Sequence, residues 1–486
     1  MVRKRKAIDS KPAEDVRPST AADNLRASYL ASKELAEIDT GDARINRRAA
    51  AVLTTLLQAP GHSYPGASVL WAATKGAYAF VNHKGVTPDS IIAAHRTPLI
   101  ERCRGEREVL VIGDTTEFDF IKRHKTEGLG PSNLDYTKSI FAHLTCVITP
   151  ERVPLGILDL NFIIRTKESI GRKHRPERYK VPVEQRESQK WVRSLQKAKE
   201  MRAALGKDGP GLVVIFDREA DDHRVLETAV NDRDDYALII RAYRERKSSE
   251  KDSGIFIWEE VNAGTAATTM KVEVPLYKSH EKRTASLEVR YRSVELKPPR
   301  VRAPNAKANP IKVWAVSAIE VGAPEGVEPI RWTLYTTLEI NGVSDAIECI
   351  KRYVARWTIE WVFRTTKTVC RAESRQFRTA DGLKVSITLD VLVSVLILYL
   401  GHLSREAPDT PCTVIFDDLD WQALWRFRGV KVLPKEPPSI AEMAKAIAKI
   451  GGHLGRKHDG PPGPLPIARG LLKLAVIVES WLAFVK

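Results

Sequence analysis

Two aspartates stand out by residue type and setting. Asp114 follows the apolar run VLVIG and Asp217 follows LVVIF, so each is predicted to close a buried strand. Acids at the carboxyl ends of strands lie at the rim of a sheet, where open α/β folds place their sites. Either residue alone could be an ordinary turn aspartate, because aspartate is common in turns. The pair gains meaning only together with a third group.

That third group is Glu360, within YVARWTIEWVFRTTK (353–367). At about 100° per residue, four polar side chains of this segment fall within about 60° of one another on a single predicted helix. The stripe consists of Tyr353, Arg356, Glu360 and Lys367, and Trp357 and Arg364 flank it. Arg356 and Glu360 could form an ordinary ion pair one turn apart. That interpretation leaves unexplained why an aromatic residue and a second cation lie beside the same acid.

The chemistry that needs such groups is metal-dependent phosphoryl transfer. Three carboxylates can hold two Mg²⁺ or Mn²⁺ ions about 3.5–4 Å apart, and these hard cations prefer oxygen ligands. One ion activates water or a 3′ hydroxyl, and the other stabilises the leaving oxygen. Arginine and lysine bind the neighbouring phosphates. We therefore expect Asp114, Asp217 and Glu360 to be both the catalytic residues and the metal ligands.

Composition supports a polyanionic partner. The 486 residues include 77 Lys+Arg against 61 Asp+Glu, with a formal charge of +16 and a pI near 9.5. The most apolar stretch (385–400) is short and carries Asp390, which predicts a buried helix rather than a membrane span. We expect no signal peptide, because no apolar run follows the basic start of the chain. The cysteines show no CxxC or zinc spacing and are predicted to be reduced. Nucleic acid, not a membrane, is the expected partner.

The elements that must position these groups begin with helices. Residues 1–23 are predicted to be a disordered basic tail and 24–100 a helical region. Asp42 is placed to cap a helix over 41–57 that carries Arg44, Arg47 and Arg48. These arginines could bind phosphates or merely solvate the helix; their density and the net charge favour phosphate contact.

The middle of the chain predicts a mixed α/β sheet. Its strands are expected at 109–114, 139–149, 155–165, 212–217 and 236–241, with a helix at 187–205. A strand-rich stretch at 255–340, from FIWEEV to IRWTLYTT, is predicted to be a separate β insertion. The chain becomes helical from Asp345 and remains mostly helical to its last residue.

Several of these motifs resemble one family. The pattern Tyr-x2-Arg-x3-Glu-x6-Lys at 353–367 resembles the signature of cut-and-paste bacterial transposases of the IS-four family. Four more segments are similar to regions of that family, in the same order, so that the resemblance covers nearly the whole chain. They are GAYAFVNH (76–83), IGDTTEF (112–118), FDREAD (216–221) and IAKIGGHLGRKHDGPPGP (447–464).

The resemblance implies an α/β fold with an RNase H-like mixed-sheet catalytic core and an all-β insertion. It also implies a helical N-terminal DNA-binding domain and a helical C-terminal domain. The expected divisions are a tail (1–23), a DNA-binding domain (24–100), a core in two parts (101–254 and 341–404), the insertion (255–340) and a dimerisation region (405–486). The implied activity is transposon-end cleavage, through a DNA hairpin, followed by strand transfer.

The resemblance also assigns roles to residues. Asp114, Asp217 and Glu360 would hold two Mg²⁺ ions, for which Mn²⁺ can substitute, while Tyr353, Arg356 and Lys367 would grip phosphates near the cut end. Trp332 would stabilise a flipped base, with Trp357 as a second aromatic residue and Arg241 at the rim of the site. Trp332 could equally fill the core of the insertion. The implied partners are double-stranded transposon ends, target DNA and a second copy of the chain, in the bacterial cytoplasm at the nucleoid.

Alternatives remain at this point. Asp119, Glu219, Asp221 and Asp222 lie near the site in sequence and could support the ligands or replace one of them. An inactive, transposase-derived DNA-binding regulator would retain the scaffold without cleavage. A host nuclease with an RNase H-like core would cleave without strand transfer.

Overall fold

The computed structural model describes residues 29–68, 71–122, 125–132, 138–166, 186–248, 255–274, 283–298, 309–456 and 459–484. The predicted basic tail, 1–23, lies outside these residues. The helices are α1 (Tyr29–Glu34), α2 (Ala43–Gln58), α3 (Tyr64–Ala67), α4 (Trp71–Val81), α5 (Pro88–Arg104), α6 (Gln189–Leu205), α7 (His223–Asn231), α8 (Ile257–Asn262), α9 (Val343–Ala355), α10 (Thr358–Thr368), α11 (Ala380–Glu406), α12 (Asp418–Phe427), α13 (Ile440–Ile450) and α14 (Pro464–Phe484). The strands are β1 (Glu108–Asp119), β2 (Gly130–Pro131), β3 (Lys138–Ile148), β4 (Pro154–Ile163), β5 (Gly211–Phe216), β6 (Ala237–Arg241), β7 (Thr268–Val274), β8 (Arg283–Leu296), β9 (Ile311–Val321) and β10 (Arg331–Thr336).

The centre of the molecule is a sheet in the order β4–β3–β1–β5–β6. Strands β1, β3 and β4 form an antiparallel meander, whereas β5 runs parallel to β1 and β6 parallel to β5. This is the mixed sheet that the sequence pattern predicts, and it is consistent with the RNase H-like core that the resemblance implies. Long apolar runs form these strands because both faces of the sheet are covered by helices.

Strand β1 is longer than predicted. The sequence places its end at Asp114, but the strand continues to Asp119 because Thr115–Asp119 pair with Ser139–His143 of β3. Asp114 therefore lies within a strand rather than at its end, and the prediction that it closes the strand is wrong. The parallel partner β5 does end at Phe216, immediately before Asp217.

The strand-rich stretch at 255–340 does not form a separate β unit. Strand β10 pairs with β6, and β9, β8 and β7 follow, so these strands extend the same sheet beyond the core. The first predicted strand of the stretch, FIWEEV, is instead helix α8. Ile257 and Val261 are buried one helical turn apart while Glu259 is exposed, a spacing typical of a helix.

The two faces of the sheet are packed differently. Alternate residues of β5 point to opposite sides: Val214 and Phe216 face the side covered by α6, α7 and α8, and Ile215 faces the side of α9 to α11. By length and composition α11 could cross a membrane, but 89% of its most apolar window is buried inside the protein. Buried Asp390 of α11 pairs with Arg375. This agrees with the predicted buried helix.

A buried ionic network joins the N-terminal helices to the sheet. Glu34 of α1 is fully buried and accepts hydrogen bonds from His95 Nδ1 (2.5 Å) and Arg102 Nη1 (2.6 Å), both on α5. The amide of Ile157 in β4 donates to His95 Nε2 (3.0 Å), and Arg102 Nε donates to the carbonyl of Leu155 (2.7 Å). The helical region is therefore fixed to the central sheet by buried polar contacts.

Candidate active site

Asp114 and Asp217 lie on neighbouring parallel strands. The β1–β5 register pairs Ile112 with Ile215, so that the two aspartates, each two residues further on, occupy equivalent positions. The alternation of side chains along a strand points both toward the face that carries α9 and α10. Gly113 permits this fit, because a Cβ atom there would lie 2.8 Å from the ring of Phe216.

Backbone amides orient both carboxylates. The amide of Thr115 donates to Asp114 Oδ1 (2.7 Å), and the amide of Glu219 donates to Asp217 Oδ1 (2.9 Å). Burial raises the pKa of Asp114, which the charge of Arg356 partly offsets. Burial, followed by the negative charge of Asp114, raises the pKa of Asp217 to about 6. Asp114 therefore lies close enough to Asp217 to disfavour its ionisation.

Arg356 lies between the acids. Its Nη1 atom donates to Asp114 Oδ2 at 2.8 Å, and its Nη2 atom is 3.9 Å from Glu360 Oε1. Burial lowers the pKa of Arg356, but Tyr353 and the charges of Asp114, Asp217 and Glu360 outweigh that effect and raise it. Arg356 is only 8% exposed, and its Nε atom has no hydrogen-bond partner among the described residues. The charge of this one buried guanidinium therefore interacts with all three predicted acids.

The predicted single helix of the motif is divided. Helix α9 ends at Ala355 and α10 begins at Thr358, with a tight turn at Arg356 and Trp357. In this turn the amides of Arg356 and Trp357 bond to carbonyls three residues earlier, which winds the chain more tightly than an α-helix. Glu360 therefore starts a new helix, where its side chain is 47% exposed.

Within the described part of the chain, no three His, Cys, Asp or Glu side chains are grouped closely enough to hold a metal ion. The donor chemistry nevertheless fits a divalent cation. Asp114 and Asp217 present carboxylate oxygens side by side with raised pKa values, and Glu360 reaches the same guanidinium. Arg356 supplies positive charge where a cation would.

Lys367 lies at the other end of the motif. Its ammonium group donates to the carbonyl of Glu117 in β1, is 3.6 Å from Glu373 Oε1 and stands 5.4 Å from the ring centroid of Phe118. Lys367 therefore lies beside the end of β1 that follows Asp114, on the face of the sheet that carries α10.

Aromatic side chains form the other wall. The ring of Trp332 packs edge-on against Tyr353 (5.2 Å between centroids) and Trp357 (6.0 Å). Trp332 is largely buried, yet it also lines a cavity of about 300 Å³. Three cations line that cavity too: Arg218, Arg241 and Arg331. Trp332 consequently both packs in the protein interior and lines a basic pocket.

The other nearby acids have structural partners. Asp221 is buried and accepts from the amides of Tyr243 and Arg244 (2.8 and 2.7 Å) and from Arg246. Asp222 caps α7, Asp119 accepts from the amide of Ile121, and Glu219 is exposed beside Lys190. Glu219 alone of these affects the pKa of both aspartates.

The arginines of α2 lie apart from this site. Asp42 caps the helix as predicted, accepting from the amide of Arg44 at 2.8 Å. Arg44 and Arg47 are exposed and Arg48 half-buried, opposite a buried face that includes Ile45 and Val52. No contact joins them to the three acids among the described residues.

Two arginines of the basic pocket, Arg218 and Arg331, were not predicted from the sequence. Arg218 stacks over Tyr243 (5.6 Å to the centroid), and Arg331 accepts from Arg241 Nη2 through its carbonyl (3.4 Å). Arg218 directly follows Asp217 within FDREAD, which was a usable signal. Arg331 directly precedes Trp332, but its nearness to Arg241 could not be predicted, because the pairing of β10 with β6 brings the two together.

Comparisons with known proteins agree at both ends of the chain. A family model described as transposase DNA-binding matches residues 27–86, and one described as the transposase Tn5 dimerisation domain matches 392–483. A cryo-EM structure of a piggyBac transposase synaptic complex with hairpin DNA has a TM-score of 0.33 and 8% identity over 73% of this chain. This chain covers 65% of that one, and a likeness so remote supports no argument. Both family matches describe transposase domains, and with the fold between them they support a Tn5-like transposase of the IS-four family.

Proposed function

We propose that the protein is a DNA transposase that cleaves transposon ends and joins them to target DNA, using Asp114, Asp217, Glu360 and two divalent cations. The observation that carries this proposal is the aspartate pair on β1 and β5. Burial raises the pKa of both carboxylates, and the charge of Asp114 raises that of Asp217 further, so bound cations would stabilise the ionised pair. Mg²⁺ suits these oxygen donors, and Mn²⁺ should substitute.

When bound, the cations would activate the attacking oxygen and stabilise the leaving oxygen of the phosphodiester. The protein's own groups orient the reactants. Amides of Thr115 and Glu219 fix the two aspartates, and Arg356 sets Asp114 relative to Glu360. Arg356 and Lys367 are the cations placed to hold phosphates that flank the cut.

The proposed route runs through a hairpin. Hydrolysis of one strand frees a 3′ hydroxyl, which attacks a phosphodiester of the opposite strand and displaces that strand's 3′ oxygen on the flanking side. Such a tight bend crowds phosphates and displaces a base. The cavity lined by Trp332, Arg218, Arg241 and Arg331 offers an aromatic surface beside three cations, which suits a displaced base and its phosphates.

Binding and assembly complete the proposal. The region matched by the DNA-binding model contains the Arg44, Arg47 and Arg48 cluster, which we assign to phosphates of the transposon ends. The region matched by the dimerisation model would pair two copies of the chain. We place the reaction on the nucleoid in the bacterial cytoplasm.

A labelled end fragment tests the proposal. Incubation with Mg²⁺ and an unlabelled plasmid should yield nicked, hairpin and fully cut products and then plasmid-joined ends, and chelation should abolish all of them. End binding without cleavage in any divalent metal would favour the inactive regulator. Cleavage without joined products would favour the nuclease.

A further inference from the structure

A second groove lies beside the catalytic helix α10. It has a volume of about 360 Å³ and runs between α10, the C-terminal half of α11, the β3–β4 turn and the segment that leads into α14. Its lining includes Trp357, Trp361, Arg152, His402 and Arg405, with residues 461–464 as one wall. None of these groups lines the pocket at Trp332, although the ring of Trp357 packs against that of Trp332.

The groove is lined by positively charged side chains and by no carboxylate. No acid is among its lining residues, and no ion pair within the described chain engages Arg152 or Arg405. Burial and then the charges of Arg405 and Arg152 lower the pKa of His402 to about 4, so this histidine is neutral at pH 7. Glu406 is the acid whose charge acts on Arg405, and it does not line the groove. Two arginines at one groove, with no carboxylate among the residues that line it, are typical of an anion site.

Trp361 adds an aromatic surface. Its side chain follows Glu360 directly and is 47% exposed, with the guanidinium of Arg364 5.6 Å from its ring centroid. A half-exposed indole beside cations suits nucleic acid, because bases and sugars pack on aromatic rings while arginines hold phosphates. An apolar peptide would leave both arginines of the groove without a partner.

We infer that this groove holds a strand of target DNA, with Arg152 and Arg405 on its phosphates and Trp361 against a sugar or base. The inference rests on the proposed function. Joining requires a second DNA beside the first at one active site. The basic pocket at Trp332 is assigned to the transposon end. Trp361, which lines the second groove, directly follows Glu360 in α10, so the second groove lies next to the same site. Stacking and phosphate contacts tolerate any sequence, as a target site requires.

The test measures capture of a fluorescent duplex of unrelated sequence by the full-length protein bound to precut transposon ends, without added metal. The variants are Trp361→Ala and the double change Arg152→Gln with Arg405→Gln. Trp361→Phe keeps a ring, and Arg233→Gln removes an exposed arginine outside the groove. We expect capture to weaken roughly tenfold in the first two, the scale of one lost stacking or phosphate contact. Trp361→Phe and Arg233→Gln should capture like the wild type.

End binding and thermal unfolding, measured on the same samples, should stay at the wild-type level. Unchanged capture in both groove variants would overturn the inference, as would an equal loss of end binding, which would assign the groove to the transposon end. Capture needs no chemistry. A wild-type protein that captures DNA through the groove but never cleaves in Mg²⁺ would refute the proposed function and leave the groove assignment standing.

Discussion

Arg356 Nη1 lies 2.8 Å from Asp114 Oδ2, although the two residues are 242 positions apart in the chain. This contact links the middle of β1 to the turn between α9 and α10, and Glu360 lies in the first turn of α10, 3.9 Å from the same guanidinium. A site assembled from three separate segments needs such a link, because loss of about 1 Å in placement can cost two orders of magnitude in rate. Arg356 is therefore placed to organise the acids as well as to bind phosphate.

Replacing the acids should separate chemistry from binding. Asp114→Ala, Asp217→Ala and Glu360→Ala should each abolish end cleavage in Mg²⁺ and leave affinity for end DNA within about twofold, since most of that affinity comes from phosphate contacts elsewhere. Cleavage gels and gel-shift titrations measure the two properties. Asp208→Ala, which removes an exposed acid between α6 and β5, is the control and should retain cleavage. Normal cleavage by any of the three variants would remove that residue from the metal-binding set.

The phosphate-gripping residues should act on one step. Arg356→Ala and Lys367→Ala should impair hairpin formation or strand transfer more than first-strand nicking, because only the bent end crowds its phosphates. Arg356→Ala should also slow nicking, because it releases Asp114, whereas Lys367→Ala should leave nicking nearly unchanged. Nicked, hairpin and cut products from a labelled end resolve on a denaturing gel. Equal loss of nicking and hairpin formation in both variants, with normal folding, would make the stripe a general binding surface.

Trp332 requires a separate test because it is largely buried. Trp332→Ala should weaken hairpin formation and also lower stability, by about 3–5 kcal/mol on the usual scale for a large core side chain. Trp332→Phe retains a ring for the displaced base and most of the packing. Hairpin yield and the free energy of unfolding are measured for the wild type and both variants. If hairpin yield simply follows stability across the three proteins, Trp332 serves only to pack the interior.

End binding should depend steeply on salt. About 6–10 phosphate contacts would reduce affinity by roughly 10³–10⁵ between 50 and 200 mM salt. Changing Arg44, Arg47 and Arg48 together to glutamine should flatten that slope and leave the active site unaffected, since these side chains lie on the outer face of α2. Fluorescence anisotropy with end DNA at several salt concentrations gives the slope. An affinity that stays flat in the wild type would contradict the assignment.

The dimer contact should lie on the outer face of α14. Ile467 and Leu474 of this helix are buried within the chain, whereas Val476 is 54% exposed. We expect Val476→Glu to prevent paired-end complexes while preserving single-end binding, because a charge there has no partner in an apolar interface. Val321→Glu, at the exposed end of β9, is the control. Paired-end complexes that form normally with Val476→Glu would exclude this face.

Acid should loosen the junction between α1 and the sheet. Burial alone would raise the pKa of Glu34, but the charges and hydrogen bonds of His95 and Arg102 lower it from 4.5 to about 2. The folded pKa is thus below the unfolded one, so the stabilisation is complete above about pH 4.5 and is lost as the pH falls toward 2. Glu34→Gln should remove this pH dependence and cost about 3–5 kcal/mol at pH 7, because it leaves buried charge unpaired.

Urea unfolding at pH 7 and pH 3 measures both effects. Glu37→Gln is a suitable control, since Glu37 is exposed and contacts Thr97 through one hydrogen bond. Parallel pH profiles for the wild type and Glu34→Gln would show that this network contributes nothing to the acid response.

Sequence periodicity predicted α2, α6 and the core strands to within about two residues, apart from the end of β1, because long apolar runs and a capping aspartate depend only on neighbours in the chain. It also predicted that 385–400 is a buried helix, although α11 extends several residues further at both ends. It failed where distant pairing decides. Asp114 does not end its strand because β3 supplies partners beyond it. The predicted single helix of the motif is divided at Arg356, whose guanidinium donates a hydrogen bond to the distant Asp114. The arginines of the Trp332 pocket come together only through the pairing of β10 with β6.

The pairing of β10 with β6 has a consequence for attempts to shorten the protein. Removing residues 255–340 would keep all three acids but strip β6 of its neighbour, leaving an open row of amides and carbonyls free to recruit strands from other molecules. Trp332 would be lost as well. A compact variant would therefore have to retain β10, or blunt the exposed edge with charges or proline, to stay monodisperse.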